Sequence, residues 1–157
     1  MPGSYSRSCS NKIVSEADLV IYIGSSTGGQ VTHFWKIPDK NVRVIQIGID
    51  PSDLGRNYPN DVSLLGDAKS TLQLLLKEEI LPLSIDQWLK RTKDLVKEWR
   101  NEVEKQRNSN NIPIRPERMM KEISESLPDD SIVVSDTGHT AMWTVQNLWI
   151  NKKWEFI

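Results

Sequence analysis

Short apolar runs, each closed by a glycine or an acid, alternate with polar stretches along the first third of the chain. "ADLVIYIG" is a continuous apolar run ending at Gly24, and "VRVIQIGID" is a second, rich in β-branched residues and ended by Asp50-Pro51. Runs with apolar residues at consecutive and not merely alternate positions predict strands buried on both faces. "VSLLGD" at Val62 to Asp67 predicts a third, shorter strand. The period then changes: in "AKSTLQLLLKEE" Ala68, Leu72, Leu75 and Leu76 fall on one helical face, with Asp67 placed as N-cap. Strands separated by helices and ended by turns predict a parallel sheet with crossover connections, the α/β class.

Helical period dominates from Ser84 to Gln106. Ser84 and Gln87 stand at capping-box spacing, and Leu83 and Trp88 are placed to staple the first turn. Ile85, Trp88, Leu89, Leu95, Val96, Trp99 and Val103 form an apolar stripe opposite charged residues, which predicts an amphipathic helix packed on a neighbouring domain. "RNSNNIPIRP" reads as a polar linker. Pro116 suits the first position of a helix running through Leu127, with Met119, Met120, Ile123 and Leu127 facing inward. Pro128-Asp129-Asp130 breaks that helix, "SIVVSD" is the next strand, and a second domain is expected to begin near Ile114.

Composition narrows the function classes. The 157 residues carry a formal net charge of −1 with basic and acidic residues interspersed, so there is no basic stripe of the kind that tracks nucleic acid. The longest apolar run, "LVIYI", is far too short to span a membrane, and "MPGSYSRSCSNK" has no hydrophobic signal-peptide region. A soluble, cytoplasmic protein is expected. The single cysteine, Cys9, makes neither an internal disulfide nor a thiolate cluster, and is a poor candidate nucleophile. A zinc site on His33 and His139 lacks further ligands at suitable spacing, and His33 and Trp35 are expected to pack.

The stretch with most chemical content is "IVVSDTGHTAMWTVQNLW". A strand, an acidic turn with glycine and an immediate helix start aim backbone N–H groups and the positive end of a helix dipole outward, which suits a phosphate. On the residues alone, an ordinary turn with a solvated histidine remains the alternative.

Three stretches together, "EADLVIYIGSSTGGQVTHFW", "IQIGIDPSDLGRNYPNDVSLLGDAKSTL" and "IRPERMMKEISESLPDDSIVVSDTGHTAMWTVQNLW", resemble in order and spacing the middle of thiamine-diphosphate-dependent enzymes of the acetolactate synthase group. The resemblance covers nearly the whole chain. It implies that residues 1–81 are the second half of a Rossmann-like central domain, residues 82–113 a helical connector, and residues 114–157 the start of the domain that binds the cofactor's diphosphate. By the same resemblance Gly138, His139 and Thr140 touch the diphosphate, His139 through a ring nitrogen and Thr140 through its hydroxyl. Gly24, Val31, Ile49, Asp67 and Ala68 match nucleotide-contacting positions. Asp67 would accept from an adenine amine there, with helix capping as the alternative.

Two departures count against flavin. Ser26-Thr27-Gly28-Gly29-Gln30-Val31 replaces the Arg-Phe-Asp-Asp-Arg-Val run of the flavin-binding members, and Gly48 stands where an acid ends the next strand, although Asp50 is retained. FAD is therefore not expected to copurify. The family's metal motif, Gly-Asp-Gly with a later Asn, and its activating glutamate have no match here, since Gly66-Asp67 is followed by Ala68. The expectation is an internal stretch of a longer enzyme, with no catalytic residue of its own. The parent, a homo-oligomer using thiamine diphosphate and magnesium, would decarboxylate a small 2-oxo acid and ligate the product. The alternatives are another 2-oxo acid decarboxylase of the family, or a non-enzymatic nucleotide-binding or regulatory module. In the family a further strand lies beside the one matching Leu19–Ile23. That edge is expected to be covered by another chain, by Gly3–Asn11 folding back, or by self-association.

Overall fold

The most β-branched apolar run takes the centre of the sheet. In the computed structural model, which describes residues 2–79, 84–150 and 153–156, Arg43–Gly48 (β2) pairs in parallel with Leu19–Ile23 (β1) on one side and Val62–Leu65 (β3) on the other. Asp61 fastens the start of β3, its backbone N–H donating to Val44 O and its carboxylate accepting from Val44 N, each at 2.8 Å. The parallel sheet with flanking helices is a partial Rossmann-like α/β arrangement.

The connections are not the helical crossovers expected. Residues 24–42 and 49–61 contain turns and no helix. His33, Phe34 and Trp35 have φ of 49°, 56° and 59°, a left-handed path that a right-handed crossover helix excludes. These loops cover one face of the sheet, burying Thr27, Thr32, Pro38 and Tyr58. The Tyr58 hydroxyl donates to Pro38 O at 3.2 Å, and its ring lies 6.4 Å from that of Tyr22 on β1.

The opposite face is open at its margins. Burial on both faces holds for β2, where Val44, Gln46 and Ile47 are buried, and fails for β1, where Ile21 is 51% and Ile23 42% exposed. The reason is position: β1 is an edge strand, and helix α2 (Ala68–Leu75) contacts β2 instead. Asp67 caps α2 as expected, but none of the helix's residues is buried, so Leu72, Leu75 and the following Leu76 stay exposed.

The remaining helices build two small cores. Ser8–Ser15 (α1) and Asp86–Arg107 (α3) meet around Cys9, Leu95 and Trp99, with Trp149 packed alongside. Pro116–Ser126 (α4) and His139–Asn147 (α5) enclose Met120, Leu148 and Trp154. The short strands Ile132–Val133 (β4) and Glu155–Phe156 (β5) pair in parallel, so only two residues of "SIVVSD" join a ladder. Two arginines tie α5 to α3. The Arg7 guanidinium lies 5.0 Å from the centre of the Trp99 ring and its Nε donates to Gln146 O at 3.0 Å. Arg107, buried, lies 3.8 Å over the Trp149 ring while its Nη1 donates to Asn147 O at 2.6 Å.

Helix details correct three expectations. The capping box does not form: α3 starts at Asp86, with Ile85 at the N-cap and no side-chain cap, while Leu83 of the expected staple lies outside the described residues. Ile85 and Leu89 are exposed, because α3 meets α1 only farther along, at Leu95 and Trp99. Met119 is 40% exposed; the inward face of α4 runs through Met120, Ile123 and Ser124, and Met119 lies a third of a turn away from it.

Candidate functional site

Three parallel strands that end in glycine place their carboxyl ends side by side. Gly24, Gly48 and Gly66 border a cavity of about 270 Å³, and Ile49, Asp67 and Ala68 join them in its lining. Of the five positions matched to nucleotide contacts, Gly24, Ile49, Asp67 and Ala68 therefore converge. Val31 does not; it is half-buried in the β1–β2 loop, next to the point where Ser4 N donates to Gln30 O.

Carboxylates govern the electrostatics of this crevice. Asp50 accepts from Ser52 N at 2.8 Å and Ser52 Oγ at 2.7 Å, and those bonds hold its carboxyl below the usual range. The Asp67 carboxylate accepts from Ser70 N and Ser70 Oγ, both at 2.9 Å, and is lowered by the same cause. Asp53 also lines the crevice, 3.6 Å from Arg56. Among the described residues no lysine, arginine or histidine lines it. Such a lining suits hydroxyl and amine donors and repels a diphosphate, so the residues present do not fit the phosphate bridge of a flavin dinucleotide. Gln46, which the sequence reading passed over, is buried beneath the crevice, its Oε1 accepting from Gly55 N at 3.0 Å. A polar residue in the middle of an apolar strand was the available signal.

The second glycine-led turn is built differently. Gly138 occupies the N-cap of α5 with φ 89° and ψ −153°, a conformation open in practice only to glycine, and a Cβ there would meet nothing within 4 Å. α5 has no side-chain cap. The carboxylate of the nearby acid, Asp136, accepts from Thr137 N at 2.6 Å. Gly138 and His139 border a cavity of about 540 Å³ with Tyr5, Gln30, Thr137 and Met142. Among the described residues no carboxylate lines it. Thr140 is exposed beside it, and its carbonyl accepts from Thr144 Oγ1 at 2.8 Å. The far wall is held by Ser4 N donating to Gln30 O at 2.8 Å and Gln146 Nε2 donating to Tyr5 O at 3.2 Å. Tyr5 and Gln30 were not foreseen, since they reach α5 from more than a hundred residues away along the chain and carry no local motif.

Unprotected N–H groups and hydrogen-bond donors, with no acid among the described lining residues, suit a phosphate-bearing group at α5. Among the described residues no group of three or more His, Cys, Asp or Glu is placed to hold a metal, and no helix is long and apolar enough to cross a membrane. Cys9 is a buried free thiol. The Nδ1 of His33 is buried without a hydrogen-bond partner, and Trp35, 45% exposed, donates from Nε1 to Thr27 O at 3.2 Å.

Residues 1–75 match the family described as "Thiamine pyrophosphate enzyme, central domain". The chain is 28% identical over 155 residues to the "Probable acetolactate synthase large subunit" of Methanococcus aeolicus, covering 91% of this chain and 26% of that protein. It is 30% identical over 152 residues to the protein of the same name from Methanocaldococcus jannaschii, covering 91% and 25%. With the acetolactate synthase large subunit of Lactococcus lactis it shares 31% identity over 146 residues, 93% of this chain and 24% of that one. The chain thus spans about a quarter of the length of the curated relatives it matches.

Proposed function

We propose, from the match of residues 1–75 to the central-domain family of thiamine pyrophosphate enzymes, that this chain serves thiamine-diphosphate-dependent chemistry on 2-oxo acids, of the acetolactate synthase kind. In this reading residues 1–81 are the second half of the central domain, 82–113 the connector and 114–157 the start of the diphosphate-binding domain. Gly138 holds the turn open, the first N–H groups of α5 bind the diphosphate, and His139 and Thr140 add donors from their side chains. Magnesium would accompany the diphosphate. Bound thiamine diphosphate supplies the nucleophilic carbon and the electron sink for decarboxylation. This chain's residues bind and orient the phosphate end. The observation that carries the reading is the uncapped α5 N-terminus opening on an acid-free cavity of about 540 Å³.

The test follows backbone amides of the isotope-labelled chain during titration with thiamine diphosphate and magnesium, with thiamine as control. Shifts at His139, Thr140 and Ala141 with the diphosphate and none with thiamine are expected, weakened in His139→Ala. Unmoved amides at α5, with or without shifts elsewhere, would refute the assignment. A second reading, a nucleotide-binding module without catalysis, draws support from the convergence of Gly24, Ile49, Asp67 and Ala68 on one crevice. Its acidic lining favours an adenosine moiety, and shifts at Gly24 and Ala68 on adding adenosine, with α5 unmoved by thiamine diphosphate, would select it.

A further inference from the structure

α5 is 9 residues long, and its own sequence balances neither end, with no acid in its first turn and no base in its last. Its final turn leaves three carbonyls without a helical partner, because Leu148 N donates to Thr144 O while Trp149 N turns to Ser124 Oγ. Arginines from outside the helix take all three. Arg7, half-buried at the N-cap of α1, donates from Nε to Gln146 O at 3.0 Å and, in a longer contact of 3.5 Å, from Nη2 to Val145 O. Arg107, 3% exposed at the end of α3, donates from Nη1 to Asn147 O at 2.6 Å. Among the described residues neither guanidinium is in a salt bridge. The two charges are held instead by the carbonyl end of α5 and by the Trp99 and Trp149 rings.

The segment around Arg7 receives a contact in return. Gln146 Nε2 donates to Tyr5 O at 3.2 Å, so residues 5–7 and 145–146 close a ring of hydrogen bonds. Gly3–Asn11, one of the covers expected for the β1 edge, is thereby committed to α5 and to the β1–β2 loop. There Ser4 N donates to Gln30 O, and a Cβ on Gly3 would overlap that same oxygen. Tyr5 and Gln30 form one wall of the cavity of about 540 Å³, and Gly138, His139, Met142 and Val145 stand on the other. Val145 lies six residues beyond His139, roughly 9 Å along the helix, so Arg7 joins the walls at the end of the cavity away from the first turn of α5. We propose that Arg7 is a positioning residue of this cavity: by tying the Tyr5 segment to the last turn of α5 it sets the spacing of the walls, so that a phosphate held by the first turn also meets Tyr5 and Gln30. The inference rests on the reading of α5 as the diphosphate site. Arg7 acts through the two segments it joins and does not itself touch the ligand.

The test titrates the isotope-labelled full chain with thiamine diphosphate and magnesium, wild type beside Arg7→Gln, Gln146→Ala and the double variant, with circular dichroism as the check on folding. In the wild type the amides of Tyr5 and Gln30 should shift together with those of His139 and Thr140, at one dissociation constant. Arg7→Gln should raise that constant about tenfold, the factor that one charge-assisted hydrogen bond is worth. The Tyr5 and Gln30 amides should then no longer follow His139, a separation of the walls that a general loss of stability does not produce. Gln146→Ala opens the same ring from the other side, so its loss of affinity should not add to that of Arg7→Gln. It leaves the guanidinium on the Trp99 ring and carries the test alone if Arg7→Gln fails to fold. Wild-type affinity with all four amides moving together in either variant would overturn the inference and leave the diphosphate site standing, as would losses that simply add. A wild-type chain whose α5 amides do not move refutes the diphosphate site itself, and the role of Arg7 falls with it.

Discussion

Replacing Leu95 by alanine tests the packing that joins the two halves of the chain. Leu95 is 2% exposed and sits on α3 against Cys9 of α1 and Trp99, with Ile13, Val96, Val103 and Trp149 around them. The change removes three carbons, a loss of about 2.4 kcal/mol at about 0.8 kcal/mol for each buried methylene equivalent. The gap left behind adds to that. Its walls include the rings of Trp99 and Trp149, 6.3 Å apart and held by Arg7 and Arg107, so they are poorly able to collapse inward. The expected total is about 3–4 kcal/mol. With a urea m-value of about 2 kcal/mol/M, the unfolding midpoint falls by about 1.5–2 M. Leu89→Ala on the same helix is the control: Leu89 is 42% exposed, and its truncation should cost no more than about 0.5 kcal/mol. A loss below about 1 kcal/mol for Leu95→Ala, or equal losses for the two variants, would refute the packing of α3 on α1 as the link between the halves.

Two further outcomes follow from the turn and the sheet. Gly138→Ala should destabilise by about 1–3 kcal/mol through backbone strain alone, since its Cβ meets nothing within 4 Å. Gly28→Ala, whose Cβ would lie an ordinary 3.6 Å from Ser26 Oγ, should be neutral or stabilising by up to about 1 kcal/mol in the same denaturation series. Burial, then the neighbouring Tyr58, pushes the Tyr22 phenol up to about 12 from 10.0. The unfolded chain therefore ionises first, and the stability this group contributes is complete below pH 10 and lost as pH rises from 10 to about 12. Phenolate absorbance should show Tyr22 and Tyr58, both raised by burial, titrating late, with Tyr22→Phe removing the Tyr22 step; titration of every tyrosine near pH 10 would contradict the burial.

What the sequence could and could not disclose depends on which partners a residue needs. Gly24, Ile49, Asp67 and Ala68 were named by the family resemblance, and they converge because residues just past the ends of parallel strands share one end of a sheet. Val31 matched the same set and missed the crevice, because its place depends on a loop path set by left-handed His33, Phe34 and Trp35, none of which is glycine. "LVIYI" and "RVIQIG" look alike as apolar runs. Their unequal burial follows from what lies over them, which no property of either run specifies. Ser84 and Gln87 had the spacing of a capping box, yet the helix starts at Asp86, because such a box forms only if the incoming chain places Ser84 at the N-cap.

The two glycine turns show how much a single side chain decides. Gly66-Asp67 leads into α2 and Thr137-Gly138 into α5, and each is a short turn that starts a helix. In the first, the residue at the N-cap carries a carboxylate that already accepts from Ser70 N, so an incoming phosphate would have to displace a built-in anion and approach Asp50 and Asp53 as well. In the second, the N-cap residue has no side chain, and the neighbouring acid is engaged by Thr137. The helix dipole and the free N–H groups are the same kind of feature at both ends. Only at α5 are they open to a ligand. In the proposed reading, anion binding therefore belongs to Gly138 and the first turn of α5, and the crevice at the sheet is left for uncharged donors. Gly138→Asp would place a carboxylate at the start of α5, as Asp67 does at α2, while carrying the backbone strain already assigned to Gly138→Ala. It should abolish the thiamine diphosphate shifts at His139 and Thr140, whereas retained shifts would mean that the phosphate is held by side chains and not by the helix end.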